Sequence, residues 1–147
     1  MRVHSLGHVV LKVRNLKRSV PFYRDVLGLK QVGQHGEKMV FFSIVDNHHD
    51  LALLETDHTA ISSPDESPGL HHVAFKVGDS LQELQEAKDW LVNKGVETDR
   101  ARDHVATQSV YFFAPDGNQI EFFVEGDPKI WHENPGAVAN SNPLELR

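Results

Sequence analysis

The sequence predicts an α+β fold made of two tandem βαβββ modules, which pair to form an open, curved eight-stranded sheet around a central cleft. Three observations predict this fold. Residues 6–13 align with residues 70–77 at an offset of 64, a helical pattern follows each of these segments, and residues 40–46 align with residues 110–116 at an offset of 70. An internal repeat of this kind indicates that one structural unit occurs twice.

The first module begins with a strand, because residues 6–13 are dominated by β-branched and aliphatic side chains. A helix follows, since apolar residues recur at i, i+4, i+7 and i+11: Leu16, Val20, Tyr23 and Leu27. Gly28 ends the pattern, as glycine often does after a helix. Pro21 lacks a backbone donor, so we expect this helix to start late or to bend there.

The second module repeats the plan with clearer helix boundaries. Residues 70–77 read as its first strand, and residues 80–83 (Ser-Leu-Gln-Glu) form a capping box that starts the helix. One face of this helix is apolar: Leu81, Leu84, Ala87 and Leu91. Gly95 then closes it.

The remaining boundaries follow from the last strands, residues 51–55 and 121–125. The sequence thus predicts one domain over 1–126, with module one at 1–58, a Ser- and Pro-rich linker at 59–69 and module two at 70–126. The tail, 127–147, contains three prolines and little periodicity. We expect it to wrap the surface, anchored by Ile130 and Trp131.

Composition excludes several classes of protein. The 147 residues include no Cys, so disulfides, thiolate metal sites and cysteine nucleophiles are excluded. The net charge of −6 argues against nucleic acid or an anionic membrane as a partner. No apolar run approaches the roughly 20 residues that span a bilayer, and the N-terminal stretch is a poor signal peptide, so a cytoplasmic location is expected. The ten histidines are numerous for this length.

Three polar residues stand out on the predicted strands. His8 and His72 occupy equivalent repeat positions. Strand alternation places His8 on the face opposite Val9, Leu11 and Val13, toward the cleft, and by the same alternation His72 also faces the cleft. Glu121 lies in an otherwise apolar strand, where a carboxylate needs a cation or a set of donors. Leu51 is the first-module equivalent of Glu121 and cannot ligate. Two His and one carboxylate with open positions are typical of non-haem Fe(II) oxygenases.

These features resemble the vicinal-oxygen-chelate superfamily, which includes glyoxalase I, fosfomycin-resistance proteins, bleomycin-resistance proteins and extradiol dioxygenases. Residues 19–29 (SVPFYRDVLGL) are similar to the first-helix motif of that superfamily. Residues 104–121 (HVATQSVYFFAPDGNQIE) resemble the more specific motif of single-domain type I extradiol enzymes. One departure is Arg102, two residues before His104, where a small or apolar residue is usual.

The resemblance implies a role for each matching residue. His8, His72 and Glu121 would be ligands of Fe(II), with Mn(II) as the alternative metal. His58 would be the acid–base residue, and His104 and Tyr111 would support the ligands or contact the substrate. The implied reaction is extradiol (meta) cleavage of a small aromatic diol by dioxygen, in a homodimer or larger homo-oligomer.

Other activities of the same superfamily remain alternatives. A fosfomycin-resistance-like transferase also uses two His and one Glu, but it leaves His58 and His104 unexplained. A glyoxalase or epimerase would need a fourth ligand, and Leu51 counts against it. A non-enzymatic binder would not need the intact His8, His72 and Glu121. The other six histidines are interpreted as turn, surface or tail residues: His4, His35, His48, His49, His71 and His132.

Overall fold

The computed structural model describes all 147 residues, which divide into unit 1 (Met1–Ser67) and unit 2 (Pro68–Arg147). Unit 1 contains a four-stranded sheet in the order β1-β4-β3-β2, in which β1 and β4 are parallel and the other pairs antiparallel. Its elements are β1 (Val9–Val13), α1 (Leu16–Pro21), β2 (Lys30–His35), β3 (Met39–Ser43) and β4 (Leu51–Glu55).

Unit 2 repeats this arrangement and extends it. Its sheet has the order β5-β8-β7-β6-β9, with β5 and β8 parallel. Its elements are β5 (Val73–Gly78), α2 (Leu81–Asn93), β6 (Thr98–Asp103), β7 (Thr107–Phe113), β8 (Gln119–Glu125), α3 (Pro128–Glu133) and β9 (Asn142–Pro143). The α+β class and both βαβββ modules are therefore confirmed.

The segment after β8 has more structure than its sequence suggested. It forms α3, a 3-10 helix (Pro135–Ala139) and β9, which pairs with β6 and makes the strand total nine rather than eight. Two residues of α2, Gln85 and Lys88, also bond the chain end, Gln85 through both its Nε2 and Oε1 atoms. These contacts are mostly made to main-chain atoms, so no periodic pattern of side chains in the sequence predicts them.

The first helix begins at Leu16, the first residue of the predicted apolar pattern, but changes its helix type after Pro21. Asn15 caps it by accepting a hydrogen bond from the Lys17 N–H. After Pro21 the chain continues as a π-helix (Phe22–Val26), which has a longer hydrogen-bonded ring than an α-helix. Gly28 then adopts a φ of 77°, a conformation that favours glycine. The expected disturbance at Pro21 is thus a change of helix type rather than a late start.

The second helix matches its predicted boundaries. Ser80 caps α2 by accepting from the Glu83 N–H, and the Glu83 carboxylate accepts from the Asp79 N–H at 2.8 Å. Leu84 and Leu91 are fully buried, and the helix contacts β8, β5 and β7. This apolar packing fixes one face of the sheet of unit 2, so the opposite face is left for other groups.

Strand alternation is observed where it was predicted. In β1 the side chains of Leu11 and Val13 are buried, whereas Val10 and Lys12 are exposed. The register corrects one assignment. Ala74 of β5 pairs with Glu121, and the equivalent Val10 of β1 pairs with Ala52, so Ala52 rather than Leu51 is the counterpart of Glu121. Alanine cannot ligate either, so the conclusion drawn from that position stands.

None of the helices combines the length and the apolar character needed to span a bilayer.

Candidate functional site

Glu121 is the central polar group on one face of the sheet of unit 2. It lies in β8 between Ile120 and Phe122, which are buried, and its own exposed fraction is only 8%. The Ser109 hydroxyl, on the neighbouring strand β7, donates a hydrogen bond to its Oε1 atom. A carboxylate this buried is costly unless donors or a cation satisfy it. One oxygen is satisfied by Ser109, and the other faces a histidine.

That histidine is His72, which directly precedes β5. Its Nε2 atom lies 2.8 Å from Oε2 of Glu121. The Nδ1 atom of His72 is 2.7 Å from Nδ1 of His71. The structure therefore brings together two of the three predicted metal ligands, His72 and Glu121, on the strand pair β5 and β8.

The pair suits a divalent cation. Donor atoms that each lie about 2.1 Å from one ion, in neighbouring coordination positions, are about 3 Å apart. The separation of Nε2 and Oε2 is close to that value. An imidazole nitrogen with a carboxylate oxygen also suits Fe(II) or Mn(II). Ser109 would remain as the donor that orients the carboxylate, a supporting contact of the kind that tunes metal sites.

Tyr111 stands beside this pair. It is directly opposite Glu121 in the register of β7 and β8, and its ring meets the His72 ring edge to face at 5.7 Å. Burial raises the pKa of Tyr111, and the negative charge of Glu121 raises it further. The phenol therefore stays protonated at neutral pH and is able to donate a hydrogen bond.

His104 connects Tyr111 to the C-terminal segment. Its Nδ1 atom is 2.6 Å from the main-chain oxygen of Asn140, and its Nε2 atom is 3.0 Å from the Tyr111 hydroxyl. A carbonyl oxygen only accepts, so Nδ1 carries the proton. With Nδ1 as the donor, Nε2 is left to accept, and the Tyr111 hydroxyl donates to it. Two hydrogen bonds thus link the Asn140 carbonyl, the His104 ring and the Tyr111 hydroxyl.

A strained turn holds His104 in place. Val105 has a φ of 69°, and the Ala106 N–H donates across it to the His104 carbonyl at 2.8 Å, which closes a γ-turn. The His104 N–H donates to Thr107, and the Val105 N–H donates to the Asp103 carboxylate. A β-branched residue with positive φ is rare, and such strain often occurs at functional sites.

Two further residues of this face were not predicted as site residues. Ser109 is two residues before Tyr111 in β7, so the period of the strand could have placed both side chains on the same face. The guanidinium of Arg100 lies 4.4 Å from the centre of the Tyr111 ring. Asn140 acts through a main-chain atom, and no sequence signal identifies it.

The two predicted site residues of unit 1 lie on different loops. His8 directly precedes β1, as His72 precedes β5, and its exposed ring lies 4.3 Å from the His49 ring. His58 follows the end of β4 by three residues and is 64% exposed. Its Nε2 atom is 3.4 Å from the Glu55 carboxylate. The Leu16 N–H and His58 lower the pKa of that carboxyl.

Within neither unit do three His, Asp or Glu side chains form a group that could hold a metal ion. Unit 2 provides the pair His72 and Glu121, and unit 1 provides His8. The assignment of His8, His72 and Glu121 as one ligand set therefore stays a prediction, as do the roles of His58, His104 and Tyr111.

Comparison with known proteins places the chain in a family. A sequence profile of the Glyoxalase/Bleomycin resistance protein/Dioxygenase superfamily matches residues 5–122. Catechol-2,3-dioxygenase of Bacillus subtilis (strain 168) is 30% identical over 133 residues, which are 88% of this chain. The chain spans only 44% of the length of that relative. Metallothiol transferase FosB of Lysinibacillus sphaericus is 34% identical over 125 residues, which cover 83% of each protein.

A solved structure agrees with the fold. Lactoylglutathione lyase from Agrobacterium tumefaciens superimposes with a TM-score of 0.65 at 22% identity, covering 89% of this chain and 98% of that one. At this identity the likeness concerns the fold alone. The profile match covers most of the chain, and the chain is therefore a member of the glyoxalase/bleomycin resistance protein/dioxygenase superfamily.

Proposed function

We propose that the chain is a metal-dependent extradiol ring-cleavage dioxygenase, which inserts dioxygen into a catechol-type diol. One observation carries the proposal: the His104–Tyr111 hydrogen bond lies on the same sheet face as the His72–Glu121 pair. Diol cleavage needs a group that accepts the diol proton, and a hydrogen-bonded Tyr–His pair beside two candidate ligands supports this role. In this proposal residues 1–126 act as one domain, and His8 completes the ligand set.

The metal is proposed to be Fe(II), with Mn(II) as the alternative. When bound, it would supply a redox-active centre through which diol and dioxygen exchange electrons. One diol and one dioxygen give one ring-opened acid, so no other reductant is needed. The ligands from unit 2 would be His72 Nε2 and Glu121 Oε2.

The chain's own groups handle the protons. Tyr111 donates to His104, so its oxygen lone pairs are available to accept from a hydroxyl of the diol. As the diol proton moves to the Tyr111 oxygen, the phenol proton can move to His104 Nε2. The resulting imidazolium keeps its Nδ1–H bond to the Asn140 carbonyl, which stabilises the charge. His58 is proposed as the second acid–base group, the task that its resemblance implies.

The test is turnover by the metal-loaded protein. Protein purified without oxygen is loaded with Fe(II), mixed with catechol or 2,3-dihydroxybiphenyl in air, and followed by oxygen uptake and by the yellow ring-opened product. We expect equal consumption of diol and dioxygen, abolished in Glu121→Gln and His72→Ala. Absence of ring opening across a panel of diols, with metal bound, would overturn the proposal.

A second candidate is a metallothiol transferase. The relative FosB favours it, because the match covers 83% of both proteins, whereas the catechol dioxygenase is matched over less than half of its length. The same metal-loaded protein is therefore also given a small thiol and the epoxide fosfomycin. Thiol addition without diol cleavage would replace the dioxygenase proposal with this one.

A further inference from the structure

We propose that the diol carries an anionic substituent, a carboxylate, and that Arg100 and Arg102 bind it. The inference rests on the proposed function, since it names the substrate class of the same site. Arg102 lies in β6, which pairs with β7, the strand that carries Ser109 and Tyr111.

Both arginines start from the sheet face that carries Glu121. Arg102 of β6 is the direct register partner of Ser109, and the Ser109 hydroxyl bonds Glu121. Side chains directly opposite on neighbouring strands share a face. The guanidinium of Arg100 lies over the ring of Tyr111, which is itself opposite Glu121. The Arg100 guanidinium therefore lies beside Tyr111, and Arg102 projects from the position next to Ser109 on the same face.

Arg102 has guanidinium hydrogen-bond donors that no other group of the protein uses. It is half-buried, yet its side chain has no hydrogen bond or ion pair in the structure. Guanidinium groups present a planar set of donors that matches a carboxylate in a bidentate manner. Arg100 is bonded to the exposed carboxylate of its neighbour Asp99. A substrate carboxylate would give Arg102 the partner that the chain itself does not provide.

Unit 2 is acidic, and this negative charge bears on the position of Arg100 and Arg102. The unit contains 13 Asp and Glu against 7 Lys and Arg, so it carries the whole net charge of −6. Such a unit repels an anion unless positive charges are placed at the site. Two of its seven basic residues lie beside Tyr111 and Ser109.

The test compares a carboxylate with its neutral amide. The probes are 3,4-dihydroxyphenylacetate, 3,4-dihydroxyphenylacetamide and 4-methylcatechol, assayed for kcat/KM with the Fe(II)-loaded protein. Binding of the same three compounds is measured by calorimetry without oxygen. We expect the carboxylate to be preferred over the amide by about tenfold or more, because a charged hydrogen bond contributes about 1.5–3 kcal/mol.

Variants locate the preference. Arg102→Met should reduce binding and kcat/KM for the carboxylate about tenfold and leave the amide unchanged, Arg102→Lys should recover part of the loss, and Arg100→Met should act in the same direction. The matched control is Lys94→Met, which removes one positive charge from unit 2 at the end of α2, where Lys94 lies over Trp90. It should change neither probe.

The outcomes separate this inference from the proposed function. Equal affinity for carboxylate and amide, or an equal loss for both in Arg102→Met, would overturn the anion site even if diols are cleaved. Selective carboxylate binding that depends on Arg102, without ring opening of any diol, would support the anion site and refute the dioxygenase.

Discussion

His104 Nε2 lies 3.0 Å from the hydroxyl oxygen of Tyr111, and the hydrogen bond between them has a defined direction. The direction follows from the opposite side of the ring, where Nδ1 must donate to the Asn140 carbonyl. The contact therefore leaves the Tyr111 oxygen as an acceptor beside Glu121. This relationship can be tested by removing a single oxygen atom.

Tyr111→Phe should lower kcat for diol cleavage about a hundredfold, the usual effect of losing one proton-transfer group. Metal content should not change, because the phenol is not a proposed ligand. Tyr23→Phe is the matched control, since it removes the only other tyrosine hydroxyl of the chain, in the core of unit 1. The measurements are kcat and bound iron. Loss of iron in Tyr111→Phe would contradict the assigned role.

Ser109→Ala should weaken metal binding about tenfold, because the hydroxyl orients the Glu121 carboxylate. It should also lower the free energy of unfolding by about 1–3 kcal/mol, since a buried carboxylate oxygen loses its donor. Ser43→Ala trims another buried strand serine, in unit 1, and should leave metal affinity unchanged. Competition with a chelator measures affinity. Parent-like affinity in Ser109→Ala would refute the supporting contact.

The γ-turn at Val105 predicts a reversed order of stability. At a φ of 69° a Cβ costs about 1–2 kcal/mol, so Val105→Gly should be more stable than Val105→Ala by about 1 kcal/mol. At Val92, inside α2, glycine should instead be less stable than alanine by about 1 kcal/mol. Urea unfolding of the four variants checks both orders. The same order at both sites would show that the turn is not strained.

The cap of α2 predicts an acid-sensitive contribution to stability. The Asp79 N–H and the Ser80 hydroxyl lower the pKa of Glu83 below its ordinary 4.5. A lowered folded-state pKa gives stability that is present above pH 4.5 and is lost as the pH falls through the folded value. Glu83→Gln should therefore be less stable than the parent at pH 7, and the two should converge in acid.

Urea unfolding between pH 3 and pH 7 measures this difference. Glu86→Gln removes the same charge three residues later but no backbone cap, and should stay within about 0.5 kcal/mol of the parent at pH 7. Ser80→Ala removes the other half of the cap and should cost about 1 kcal/mol. A constant gap between Glu83→Gln and the parent across this pH range would contradict the assignment.

The packing of α2 predicts a large loss for one leucine and a small loss for its neighbour. Leu84 is fully buried, so Leu84→Ala should lower the free energy of unfolding by about 2–5 kcal/mol. Leu81, at the start of the same helix, is 50% exposed, and Leu81→Ala should cost far less. Both are measured by urea unfolding. Similar losses at the two positions would mean that α2 packs differently.

The sequence was most informative where side chains follow a period. The repeat predicted both modules, the alternation in β1 predicted that Leu11 and Val13 are buried, and the capping box predicted the start of α2 at Leu81. The pairing of His72 with Glu121 followed from the same reasoning, because an apolar strand has to satisfy a carboxylate.

What the sequence could not predict depends on main-chain geometry. The register that makes Ala52 the counterpart of Glu121 is set by strand pairing. A shift of one residue gives an alignment that fits the sequence equally well, so the sequence alone does not fix the register. The π-helix after Pro21 and the pairing of β9 with β6 use backbone groups that every residue possesses. Such contacts do not depend on residue type and therefore leave no pattern in the sequence.

The Asn140 carbonyl illustrates what this means over evolutionary time. Its hydrogen bond to His104 uses an oxygen that every amino acid carries, so a substitution at residue 140 that keeps the backbone in place also keeps this contact. Relatives could thus share this support for the imidazole without sharing a single letter at that position. A search for conserved residues would overlook it, whereas superposition of backbones would reveal it.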